Sequence, residues 1–412
     1  MRPRHPEKRA RVKTLLYGIA VLNLLSVPIM AAEPIKIGFS SPDSGGGAAS
    51  GRQFVLAAEI WAESIKKKGG LLGRPVRLVH YDNQSNPALE PGIYTKLLDV
   101  DKVDLVVAQA TNYSAAAMPV LIEHNVMVLD TLSLAVNDQF HYPRFFQTMP
   151  FGPKGKEAIS AGYFAVAMTM DPKPTTVAMT GADAEFSKNA MAGAREHAKR
   201  HGLQIVYEKN YPPNTIDYLP IVQAIKATNP DLIFVASYPA DTAGILRAVQ
   251  ERGLSAKMFG GPMVGLQYGS IKQLMGERLN GIVDYEIYVR EPTVSFPGVE
   301  AFVKEYQARA KAAGTDPLGY YQVLEQAVEG TGSLDHDKLA QYMHATTFKT
   351  IMGDIKFGAD GEWAEPRILT IQYQDVKGHD LAQFEKPGVQ VILDPPAYQT
   401  GTLKYPYPIA AK

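Results

Sequence analysis

Short apolar runs alternate along the chain with longer stretches in which apolar residues recur every three or four positions. The runs begin with IKIGF (Ile35 to Phe39), VRLVHY (Val76 to Tyr81), LVVA (Leu105 to Ala108) and VMVLD (Val126 to Asp130). Runs this short, bounded by turn residues, fit strands, and the stretch QFVLAAEIWAESIKKKGG between the first two carries a helical stripe that stops at Gly69-Gly70. Strands alternating with helices predict a parallel sheet covered on both faces. The pattern then repeats: TTVAM, QIVYE, DLIFVAS and KMFGG alternate with the helical SKNAMAGAREHAKRHG, LPIVQAIKAT and ADTAGILRAVQERG. A second α/β lobe of similar size is expected.

Two breaker-flanked segments, QTMPFGPKG around Pro150 and GIVDYEIYVREP around Asp284, read as joints between the lobes. After the second joint, FPGVEAFVKEYQARAKAAG and GYYQVLEQAVEG read as helices that return the chain to the first lobe. The strand DIKF, with RILTIQYQ, then takes it back to the second. The expected fold is therefore α/β, with two doubly wound lobes joined by a three-strand hinge. Residues 34–150 and 285–350 form the first lobe, 151–284 and 351–395 the second, and 396–412 an extended tail.

Composition narrows the function classes. The basic start MRPRHPEKRARVK, the apolar TLLYGIAVLNLLSVPIMA and the small pair Ala31-Ala32 read as a secretory signal peptide over residues 1–31, which implies a periplasmic protein. Beyond it no apolar run is long enough to span a bilayer. The chain has no cysteine, which excludes disulfides, thiolate metal sites and a lipid-modified cysteine anchor. Lysine plus arginine equals aspartate plus glutamate at 42 each, so nothing recruits nucleic acid or a charged membrane surface. There is no HExxH or GxSxG signature. GGGAAS (Gly45 to Ser50) nears the dinucleotide fingerprint but lies well past its strand. His197 and His201 are spaced for a metal, yet HAKRHG is also a cationic helix end before Gly202. No enzyme, cofactor or metal is expected.

The stretch IKKKGGLLGRPVRLVHYDNQSNP, Ile65 to Pro87, resembles the signature early region of the leucine/isoleucine/valine-type periplasmic binding proteins. The resemblance runs in order through the Ser/Thr-rich turn ATNYSAAAMP, the fourth strand with DTLS, the FQTMP joint and the GGPM loop. It implies a small ligand held between two lobes, and docking of the loaded protein, a monomer, on the permease of an ATP-driven importer. A sensing partner of a signalling receptor is the rival function within the same fold.

Candidate site residues follow from the rule that ligands of open α/β sheets sit at the carboxyl ends of strands. Thr111, Asn112 and Tyr113, with Ser114, open a helix whose free N–H groups attract a carboxylate, although the same residues can simply cap the helix. The resemblance implies that this turn holds the ligand carboxylate. Ser133 in DTLS matches a family position that touches the ligand's polar end, and its neighbours Asp130 and Thr131 join it as candidates. Phe186 and Tyr238 align with aromatics that close over the ligand in the resembled proteins. SGGGAASGR stands where the family's amino-acid binders have an aromatic, which widens the pocket and ends in Arg52.

The loop GGPMVGLQYGS adds one more expectation. Amino-acid binders of the family place a glutamate after its Gly-Pro, because a buried ammonium needs an anionic partner; here the residue is Met263. A soft, apolar wall at that point favours a hydrophobic carboxylate, aromatic acids first, over a zwitterion. The alternative is a branched-chain amino acid or amide, its ammonium held by Asp130 or Asp183.

Overall fold

The computed structural model describes residues 1, 32–213, 215–310 and 320–408; the expected signal peptide, apart from Met1, and the last four residues of the tail lie outside the described residues. The apolar runs of the first half become β1 (Ile35–Ser41), β2 (Val76–Asp82), β3 (Leu105–Gln109), β4 (Val128–Thr131) and β5 (Phe145–Gln147). They form one parallel sheet in the order β2-β1-β3-β4-β5. Every residue of β3 and β4 is buried, as a sheet covered on both faces requires. The helix Ala48–Lys67 buries Phe54, Ala57, Ala58, Trp61 and Ile65, the stripe read from its spacing. It stops at a turn only glycine permits: Gly70 has φ +98°, and a Cβ there would lie 2.3 Å from the Arg74 carbonyl oxygen.

The second sheet holds β6 (Thr176–Ala182), β7 (Gln204–Tyr211), β8 (Leu232–Ala236), β9 (Met258–Gly260) and β10 (Ile282–Glu286), all parallel. After β10 the chain builds the helices Val299–Ala310, Tyr320–Thr331 and His336–Ala345, then the ribbon β11 (Thr347–Thr350) and β12 (Gly353–Lys356). Strands β13 (Leu369–Tyr373) and β14 (Gln390–Asp394) return antiparallel to the second sheet, giving the order β14-β13-β10-β9-β8-β6-β7. The result is two α/β lobes joined by a hinge region.

The return to the first lobe has a clear packing reason. Tyr320 stacks on Phe54 with ring centres 5.5 Å apart, and Tyr321 stacks on Trp61 at 4.9 Å. The strand DIKF does not lead back to the second lobe as expected. It pairs with β11, and Phe348, Ile355, Phe357 and Trp363 all join the first lobe's apolar cluster. A two-stranded ribbon with one apolar face needs a cover, and the first lobe supplies it. The chain crosses only after Trp363, beside the first crossing: Gln147 N donates to Gly361 O and Arg367 N to Pro150 O, both at 2.9 Å.

Candidate ligand-binding cleft

Four strands end at one cleft, and each is followed by a helix that starts there. The starts are Ala48 after β1, Thr111 after β3, Glu185 after β6 and Pro239 after β8. Their positive ends converge, which favours an anionic group between the lobes. The turn into the helix at Thr111 is sharp: Ala110, a non-glycine residue, holds φ +61°. Its carbonyl accepts from Tyr113 N at 3.0 Å and Ser114 N at 2.9 Å, which leaves the amides of Thr111 and Asn112 without backbone acceptors among the described residues.

The cleft encloses a cavity of about 90 Å³. A buried water occupies about 10–15 Å³ on such a measure, so the space suits roughly six to nine atoms of water size. Of the expected residues, Thr111, Asn112, Tyr113, Phe186 and Tyr238 line it together. Phe186 and Tyr238 meet edge to face with ring centres 5.8 Å apart. Asn112 Oδ1 accepts from the Tyr238 hydroxyl at 2.9 Å and from Phe186 N at 3.3 Å, so one amide oxygen of the first lobe engages both aromatic positions of the second. Burial raises the Tyr113 and Tyr238 phenols above their usual pKa, so both remain protonated donors.

The other expected residues stand behind the wall. Asp130, Thr131 and Ser133 are fully buried and do not line the cavity. Asp130 Oδ1 accepts from Ser133 Oγ at 2.8 Å and Ser114 Oγ at 3.0 Å, so these hydroxyls are turned inward to a carboxyl rather than outward to a ligand. Its other oxygen has no donor among the described residues, and burial pushes the carboxyl up to about 7. Met263 is fully buried in the second lobe's apolar cluster, where its N–H donates to Asp284 Oδ1 at 3.1 Å. It is therefore a core residue, and the loop reaches the cavity through Val264, Gln267 and Tyr268 instead. Gln267 is buried.

Several lining residues were not expected. Met149 and Phe151 come from the first crossing, Tyr285 from β10, and Ser50 from the widened glycine run. The FQTMP and DYEIY joints carried that signal, since a cleft between lobes must be walled by its hinge. Arg52 is exposed and outside the lining, Asp183 pairs with Lys188 at 2.8 Å, and His197 Nε2 bonds Glu157 O at 3.0 Å. Among the described residues no side chain of Asp, Glu, Lys, Arg or His lines the cavity. Among the described residues no group of His, Cys, Asp or Glu is arranged to hold a metal, and no helix is long and apolar enough to cross a membrane.

Comparisons with known proteins agree with this architecture. A model of the periplasmic binding protein family matches residues 34–375. The leucine-, isoleucine-, valine-, threonine- and alanine-binding protein of Pseudomonas aeruginosa is 22% identical over 367 residues, covering 85% of this chain and 93% of its own. Among solved structures, the branched-chain amino acid transporter substrate-binding protein of Streptococcus pneumoniae with isoleucine has a TM-score of 0.71 at 19% identity, covering 83% of this chain and 97% of its own. A solute-binding protein of an ABC transporter from R. palustris, solved with benzoate, has a TM-score of 0.70 at 18% identity, covering 87% and 95%. Two lobes, a hinge, a small uncharged cleft and the family match make this chain a member of the periplasmic binding protein family, a non-catalytic protein that delivers a small organic ligand to an ABC permease.

Proposed function

We propose that the ligand is a small hydrophobic carboxylate, with an aromatic acid favoured, and that the protein reaches the periplasm by cleavage of its N-terminal signal peptide. The observation that carries the ligand reading is the lining. Its one cationic influence is the set of helix starts, with the Thr111 and Asn112 amides placed to receive a carboxylate. Six aromatics, Tyr113, Phe151, Phe186, Tyr238, Tyr268 and Tyr285, form much of the rest of the wall, which suits a flat apolar body. An ammonium would meet no carboxylate there. The benzoate-bound neighbour supports this reading by its ligand.

A branched-chain amino acid or its amide is the second reading, favoured by the ligands of the Pseudomonas aeruginosa and Streptococcus pneumoniae proteins. It requires neutral acceptors, such as Gln267 Oε1 and the tyrosine hydroxyls, to hold the ammonium. Calorimetric titration with benzoate and with leucine separates the two. Micromolar binding of leucine without binding of benzoate or its homologues overturns the first reading.

A further inference from the structure

A second pocket, of about 680 Å³, lies at the second and third crossings and shares no lining residue with the cleft. Its charged feature is Arg367. The guanidinium carbon stands 4.5 Å from the ring centre of Phe296 and 5.0 Å from that of Trp363. Burial lowers its pKa, the Tyr398 hydroxyl opposes that, and no carboxylate of the described residues takes part. Among the described residues, Nη2 of Arg367 and Nε1 of Trp363, both buried, donate no hydrogen bond. The other charges at the pocket are engaged elsewhere or exposed: Asp354 pairs with Lys349, Lys356 Nζ donates to His344 O, and Glu365 faces solvent. A guanidinium largely removed from water without an anion is costly, and its planar fork suits a carboxylate in particular.

We propose that this pocket is a second ligand site, taking a small organic anion whose carboxylate sits against Arg367 and whose flat apolar body packs on Phe296, Trp363 and Tyr398. Phe296 belongs to the second crossing and Arg367 to the third, whose N–H is bonded to Pro150 of the first. An anion there bridges segments that the hinge moves, so its binding and cleft closure alter each other by the same factor.

Trp363 makes the site observable, because the chain has only one other tryptophan, Trp61. In a Trp61→Phe protein carrying Phe186→Ala and Tyr238→Ala to disable the cleft, benzoate should change Trp363 fluorescence saturably, while neutral benzyl alcohol should not. Arg367→Met should weaken that binding at least tenfold, whereas in a protein with an intact cleft benzoate should still bind the cleft by calorimetry, with an affinity altered only by the lost coupling. Should Arg367→Met fail to fold, Ala364→Glu at the exposed rim supplies the missing carboxylate and should abolish the response. No saturable change in the cleft-disabled protein, or an equal change after Ala364→Glu, overturns the second site. Loss of calorimetric binding in the intact cleft bears on the cleft reading alone.

Discussion

The Tyr238 hydroxyl donates to Asn112 Oδ1 at 2.9 Å across the interlobe cleft, from the start of one helix to the start of another. Two strand-to-helix turns, one in each lobe, thus meet on the same polar atom. Removing the hydroxyl with Tyr238→Phe should weaken ligand binding by about 0.5–1.5 kcal/mol, the net worth of such a bond. Tyr238→Ala and Phe186→Ala should each cost about 1–3 kcal/mol, because a desolvated aromatic wall is lost as well. Unchanged calorimetric affinity in all three would mean that ligand does not sit between these rings.

Gln267 and Met263 separate wall from core. Gln267→Glu places an acid in the lining, so a carboxylate ligand should bind much more weakly while the melting temperature of the empty protein changes little. Met263→Ala, in contrast, should lower stability by about 2–5 kcal/mol in chemical denaturation and leave affinity intact. If Met263→Ala changed affinity and spared stability, its side chain would have to reach the cavity.

Asp130 gives the fold a pH dependence. Its folded value of about 7 stands above the 3.8 of an unfolded aspartate, so the native state holds a proton that the unfolded chain releases between those values. The stability this contributes is complete below about pH 4 and is lost as pH rises to 7. Glu90, also pushed to about 7 by burial, acts in the same direction. Asp130→Asn should therefore gain melting temperature relative to the natural protein as pH is raised from 4 to 8. A constant difference across that range would contradict the assignment.

Gly260 ends β9 with φ +153°, and a Cβ there would lie 1.8 Å from the Val283 carbonyl oxygen. Gly260→Ala must push β9 and β10 apart and should cost about 3 kcal/mol. Denaturant midpoints would show it, and a midpoint equal to that of the natural protein would contradict the close approach.

The strands and helices were legible because the apolar runs match strands, those of β3, β4 and β8 covered on both sides, and each stripe matches a half-buried helix. The same covering hides the orientation of single residues. Every side chain of β4 is buried, so alternation cannot say that Asp130 turns from the ligand. Met263 was misread for a related reason: the loop's backbone bridges to Ser237 there and then enters the turn Val264–Gln267, which decides the side chain that faces the cavity. Asn112 was readable because it lies at the start of a helix that follows a strand, whereas Phe186 and Tyr238 were reached only through the family resemblance. Phe151 and Tyr285 were not, because they come together only when distant crossings share one wall. The strand β12 was misassigned because its apolar face fits either lobe until a cover is chosen.

The stacking of Tyr320 on Phe54 and Tyr321 on Trp61 also orders events during synthesis. The first sheet ends at Gln147, yet part of its cover is made only with the helix that starts at Tyr320. At about 5–20 residues per second, that interval lasts on the order of ten seconds or more. Through it the emerging chain has an uncovered apolar face and cannot finish its first lobe. A chain that stays incompletely folded until nearly all of it has been made suits export through a channel that admits only unfolded polypeptide.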